Sequence, residues 1–98
     1  MDGYRLTDIA DKRLADIYAY SLLRFGKAPA RTYFLGLHEA FNRIVAHPEL
    51  GRLVEGRSRT RRLVHRRHSI FYEVDTIGVL ILDILGAGQD PELHDPQS

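Results

Sequence analysis

The amino-acid sequence predicts an α+β domain, and three observations carry that prediction. Residues 7–46 repeat apolar side chains at three- and four-residue spacing, the period of a helix with one buried face. Residues 61–85 switch to β-branched and aromatic runs of strand period. The two kinds of element are segregated along the chain, which favours a helical layer on one face of a mainly antiparallel sheet. The 98 residues make a single domain, 1–98, because two cores would each bury too little apolar surface.

The elements follow in order. Tyr4-Arg5-Leu6 alternates aromatic, charged and aliphatic side chains, as an edge strand does. Thr7 suits a helix N-cap, and Asp8 and Asp11 complement the positive end of the helix dipole. Ala10, Leu14, Ile17, Ser21 and Phe25 then form one stripe, and Gly26 stops the helix. Lys27-Ala28 is read as the turn, with Pro29 opening a second helix at its first position. Ala30, Tyr33, Phe34, Leu37, Ala40, Phe41 and Ile44 give that helix a continuous apolar face, and His47-Pro48 ends it. So short a connection predicts an antiparallel helical hairpin. Three strands follow: Arg61–His65, His68–Val74 across an Arg66-Arg67 turn, and Val79–Leu85 across Asp75–Gly78. Order is expected to about residue 90, with 91–98 a polar, proline-bearing tail.

Strand alternation sorts the last strand into two faces. Asp83 is costly to bury unpaired, so Val79, Ile81, Asp83 and Leu85 are assigned to the open face and Leu80, Leu82 and Ile84 to the helices. Ile81 and Leu85 around Asp83 would then form an apolar surface that a partner, or the tail, must cover.

Composition limits the function. Apolar residues at 44% and charged residues at 28% exclude wholesale disorder. The absence of cysteine excludes disulfides, thiolate metal sites and cysteine catalysis. No apolar run approaches the roughly 20 residues of a membrane helix. Met1-Asp2-Gly3-Tyr4 lacks a signal-peptide pattern, so a soluble cytoplasmic protein is expected. The net charge of +1 conceals segregation. Residues 52–72 carry seven arginines (Arg52, Arg57, Arg59, Arg61, Arg62, Arg66, Arg67) against Glu55, and residues 73–98 carry six acids and no base. Arginine recognises phosphates and carboxylates through a planar fork but is no proton-transfer base, so the cluster argues for binding over catalysis.

Other chemistry finds little support. Gly86-Ala87-Gly88 follows a strand, but no helix pattern follows it, so it is no phosphate loop. The histidines His38, His47, His65, His68 and His94 lack metal-ligand spacing with a matching carboxylate. His65 and His68 flank the Arg66-Arg67 turn and could touch a phosphate, though His68 reads better as a hydrogen-bonded structural histidine. Tyr72 reads as core, and Ser21, Ser58 and Ser69 have no triad partners. No catalytic residue, cofactor or metal is expected.

Several short motifs, in order over most of the chain, carry a resemblance. They are Tyr4-Arg5-Leu6-Thr7 with Ala10 and Asp11; Leu14-Ala15-Asp16-Ile17 with Tyr20; Phe25-Gly26; Ala30 with Tyr33 and Leu37; and Ile44 with Ala46. Pro48-Glu49-Leu50-Gly51-Arg52, Arg61-Arg62, His68, Ile70-Phe71-Tyr72-Glu73-Val74, Ile81 to Leu85 and Gln89-Asp90-Pro91 continue the series. The sequence resembles the ParE branch of the RelE/ParE toxin superfamily of type II toxin–antitoxin systems. That resemblance implies a RelE/ParE-like strand, helical hairpin and three-strand order. It also implies a toxin that inhibits DNA gyrase by binding, and a ParD-like antitoxin whose C-terminal segment wraps the open sheet face and the hairpin. Arg59, Arg61, Arg62, Arg66, Arg67, His68, Ile81, Asp83 and Leu85 are the residues expected to meet target or antitoxin, with DNA contact through the arginines. Asp83 and Gly86 stand where the family commonly has an arginine and a histidine. An aspartate there would repel phosphate, which weakens the alternative of a ribosome-dependent messenger RNA endonuclease. The same two departures motivate a third reading, a non-toxic relic that still binds antitoxin.

Overall fold

The structure is a computed structural model that describes residues 3–86 and 88; the expected tail at 91–98, with His94, lies outside the described residues. The elements are β1 (Tyr4–Leu6), α1 (Asp8–Phe25), α2 (Lys27–Ala46), β2 (Arg52–Leu53), β3 (Arg61–His65), β4 (His68–Val74) and β5 (Val79–Gly86), with a short 3₁₀ turn at Pro48–Leu50 before β2. The sheet runs β1-β5-β4-β3-β2, with β1 parallel to β5 and the remaining pairs antiparallel. The α+β order is as the sequence predicts, with β2 added. Two residues are too few for a periodic signal, and β2 exists because Arg52 and Leu53 pair with Arg62 and Arg61.

Thr7 begins α1 as expected. Its Oγ1 accepts from the Ala10 N–H at 3.0 Å and donates to the Leu82 carbonyl at 2.7 Å. The Thr7 N–H reaches the Ile81 carbonyl at 3.0 Å, so one residue caps the helix and fastens it to β5. The helical joint is tighter than the sequence suggests. Gly26 alone forms it, at φ 91° and ψ 178°, and α2 already starts at Lys27. Pro29 is therefore the third residue of α2, still inside the first turn where its missing N–H costs nothing.

One helical face meets one sheet face. Ala10 and Leu14 of α1 and Leu37, Ala40, Phe41 and Ile44 of α2 bury against Ile70, Tyr72, Val79, Ile81 and Ile84. The expected stripe of α1 ends early, because Phe25 is 58% exposed.

The face assignment of β5 is corrected by a β-bulge. Phe71 pairs with Asp83 and Tyr72 with Ile81, which leaves Leu82 as an extra residue on β5. One inserted residue reverses the alternation on one side of it. Val79 and Ile81 point into the core before the bulge and Ile84 after it, so Ile81 is fully buried and cannot be a surface contact. Leu80 and Leu82, expected in the core, are half-buried, and Leu85 remains on the partly exposed side. On the face away from the helices, Phe71 lies between Arg62 and Asp83 in the cross-strand register, and Glu73 opposite Leu80.

Candidate functional site

The fold distributes the arginines among four places. Arg61 is held by structure: its Nη1 donates to the Gly51 carbonyl at 2.7 Å. Beside it the buried Tyr72 hydroxyl accepts from the Gly51 N–H at 2.7 Å and donates to the Pro48 carbonyl at 2.5 Å. The Pro48–Gly51 motif is thus a turn clamped onto the sheet by Tyr72 and Arg61. Arg62 lies across the open face, where its Nε donates to Ser69 Oγ at 3.1 Å. Arg59 reaches the Val74 carbonyl at 3.2 Å from the exposed loop that also carries Arg57. Arg66 and Arg67 sit apart from these, exposed at the β3–β4 turn.

That turn borders a groove of about 970 Å³. One wall is the flank of α1, with Arg13, Asp16, Ile17 and Tyr20. Phe25 and Pro29 line it near the helical joint, and Tyr33 of α2 lines it as well. The opposite wall is Arg66, Arg67 and His68, with Ile84, Gly86 and Gly88 from the end of β5. The structure therefore brings Arg66, Arg67 and His68 together and leaves Arg59, Arg61 and Arg62 elsewhere. Sequence reasoning did not find this groove. Its one signal was Tyr20, an aromatic residue outside the helix stripe and 60% exposed in the fold.

His68 is positioned by Tyr33, whose hydroxyl lies 2.5 Å from His68 Nδ1. Tyr33 sits between the two turn histidines, its ring centroid 5.8 Å from His65 and 5.5 Å from His68. Burial pulls the His68 pKa below the ordinary histidine value, reinforced by His65 and Arg67. Burial does the same for His65, with Arg43 and Arg66 adding and Glu39 opposing. A neutral His68 accepts the Tyr33 O–H, which gives this histidine a structural hydrogen bond. Among the described residues His65 Nε2 is buried without a partner, and it lies against Gly36, where a Cβ would come within 3.4 Å of it.

Asp83 has a local explanation. Its Oδ1 accepts from Arg13 Nε at 3.0 Å and from the Ile84 backbone N–H at 2.8 Å. Since β1 pairs with β5 only as far as Ile81, β5 beyond that point is an edge, and Asp83 caps one of its backbone donors. The carboxylate also neutralises Arg13 in the groove wall. Chemically the groove offers an apolar, aromatic end and a cationic end, an arrangement that binds. Among the described residues no group of three or more histidines or acids is placed to hold a metal ion.

A helical hairpin on one face of a mainly antiparallel five-stranded sheet, with a cationic groove at its edge, defines a class of small α+β protein that solved structures contain. The chain is similar in fold to the chromosomal ParDE TA system from P. aeruginosa, with a TM-score of 0.74 and 24% identity, over 86% of this chain and 94% of that one. Residues 4–91 match the family model described as the ParE toxin of the type II toxin-antitoxin system parDE, and the chain belongs to that family. Toxin ParE1 of Caulobacter vibrioides is 33% identical over 95 residues, 96% of this chain and 98% of that protein. Among the described residues no helix is long and apolar enough to cross a membrane.

Proposed function

We propose that this ParE-type toxin acts in the cytoplasm by binding DNA gyrase, and that a cognate ParD-like antitoxin silences it by covering the open sheet face and the flank of the hairpin. The observation that carries this reading is the family match along residues 4–91, because it spans every element that builds the binding surfaces. The arrangement supports binding as the mode of action. Arg52, Arg57, Arg59, Arg66 and Arg67 are exposed, and arginine makes bidentate contact with phosphate or carboxylate without serving as a base.

The test is a gyrase assay with purified protein. Added toxin is expected to raise gyrase-dependent DNA cleavage, and expression without antitoxin to arrest growth. Arg66→Ala with Arg67→Ala is expected to weaken the effect while the circular dichroism spectrum stays unchanged. Arg61→Ala should weaken it too, together with a loss of thermal stability, since Arg61 also holds Gly51. Unchanged cleavage and supercoiling at excess toxin overturn the gyrase reading. Cleavage of translated messenger RNA with gyrase unaffected points to the endonuclease alternative. Harmless expression with tight antitoxin binding points to the relic.

A further inference from the structure

We propose that the β2–β3 hairpin is a contact element for the sugar–phosphate backbone of duplex DNA, with Arg52, Arg57 and Arg59 as the phosphate-binding side chains. This deepens the gyrase reading and rests on it for the source of the duplex, the DNA on which gyrase works.

The hairpin concentrates positive charge at one edge of the sheet, where β2 is the last strand. Arg52 of β2 is the direct cross-strand partner of Arg62 of β3. Like charges directly opposite destabilise a strand pair, and an external anion relieves that cost. Arg57 and Arg59 are exposed on the loop that joins the same two strands, where Glu55 is the one acid. The ion pairs among the described residues are Arg5–Asp75 and Arg13–Asp83, so Arg52, Arg57 and Arg59 belong to neither.

The hairpin is also held in place before any partner arrives. Arg61 fixes its start by donating to the Gly51 carbonyl at 2.7 Å. The Val54 N–H donates to the Thr60 carbonyl at 2.9 Å and the Arg57 N–H to the Val54 carbonyl at 3.0 Å, which closes the loop on itself. Arg59 Nη2 donates to the Val74 carbonyl at 3.2 Å, and the guanidinium has further donors to offer. An element ordered in advance loses little freedom on binding.

The surroundings select a phosphate backbone over a protein surface. Glu55-Gly56-Arg57-Ser58-Arg59 carries no apolar side chain to anchor a protein partner. Gly56 and Ser58 add little bulk beside the arginines, so a backbone can approach closely. Leu53, the exposed apolar residue of β2, alternates with Arg52 and faces the other side of the sheet. Guanidinium forks match phosphate oxygens bidentately. The Arg66-Arg67 turn suits a phosphate backbone less, because Asp16 of α1 lines the same groove.

The experiment uses the full chain, without gyrase, and a fluorescein-labelled DNA duplex of mixed sequence, read by anisotropy across a salt series. Binding is expected to be independent of sequence. It should weaken with salt at a log–log slope of about −3, since each neutralised phosphate contributes about −0.9. Arg52→Gln, Arg57→Gln and Arg59→Gln should each reduce the size of that slope by about 1. Glu55→Gln should tighten binding severalfold, a gain that misfolding cannot mimic. Arg31→Gln, exposed on α2, should leave the slope unchanged. A slope that the hairpin variants do not alter, or that Arg31→Gln alters equally, overturns the proposal. Tighter binding to single-stranded RNA, or equal competition by polyglutamate, also overturns it and assigns the hairpin to RNA or to an acidic protein. Duplex binding that depends on the hairpin, with no effect on gyrase, keeps the hairpin and removes the gyrase reading. Gyrase inhibition by a toxin that binds no duplex does the reverse.

Discussion

Tyr72 shows how a single side chain can turn a surface motif into part of the core. Its ring is fully buried, yet its hydroxyl both accepts from Gly51 and donates to Pro48. The Pro48–Gly51 turn is therefore tied to the sheet by a buried phenol whose hydrogen bonds are satisfied, as a buried hydroxyl requires. Gly51 is needed there for lack of space, because an added Cβ would lie 2.8 Å from Tyr72 and 3.0 Å from the Arg62 carbonyl. Gly51→Ala is expected to destabilise the protein by about 1–3 kcal/mol, since neither neighbour is the free end of a flexible chain. Tyr72→Phe should cost about 1–3 kcal/mol by stranding a buried N–H and a carbonyl. Chemical denaturation measures both. A Gly51→Ala protein as stable as the parent would show that the turn can move off the ring. The sequence reading placed Tyr72 in the core but missed this clamp, because the partners are 21 and 24 residues away and carry no periodicity.

The elements themselves were legible where they obeyed a period and illegible where one residue broke it. Both helices, the β3–β4 turn and the segregated order follow from apolar spacing and turn residues. The face of β5 does not, because the bulge at Leu82 reverses its alternation and no sequence signal marks it. The sequence assigns Asp83 to the open face because an unpaired charge is costly to bury, whereas in the fold it is paired by Arg13 across the edge, 70 residues earlier. The groove was hidden for the same reason: its walls are a helix flank, a turn and a strand end that only the fold brings together. Gly26 is the element-scale feature most open to test. It joins two long helices alone at φ 91° and ψ 178°, a region essentially reserved for glycine. Among the described residues nothing lies within 4 Å of where its Cβ would be, so the expected cost of Gly26→Ala is a backbone cost. A loss of about 1–3 kcal/mol is expected in denaturant unfolding. An unchanged midpoint would mean that the helical joint relaxes to an ordinary conformation.

At the scale of the whole molecule, titration couples the stability of the fold to pH. Burial holds His38 below the usual histidine value of 6.5 where it bonds to Tyr4 on β1. Burial, with neighbouring cations, holds His65 and His68 below it at the other end of the sheet. The unfolded chain takes up these protons near pH 6.5, and the folded chain takes them up only at lower pH. Acid therefore favours the unfolded state, and the histidine contribution to stability is present above 6.5 and lost as pH falls below it. Asp75 adds a second, more acidic step. The Arg5 hydrogen bond, helped by the Gly78 and Ile77 amides, holds its pKa at about 2 against an ordinary 3.8, so its contribution is present above 3.8 and lost as pH falls toward about 2. The melting temperature is expected to be level from pH 6.5 up to the approach of the ordinary tyrosine value of 10.0, and to fall on acidification in two stages. Replacing His38, His65 or His68 singly by glutamine should remove part of the first slope, and Arg5→Ala should shrink the second. A melting temperature that rises as pH drops through the first stage would mean that the folded chain gains protons more readily than the unfolded one. The desolvated histidines would then have to find anionic partners stronger than Glu39, which favours the charged form of His65 but is outweighed by burial and by Arg43 and Arg66.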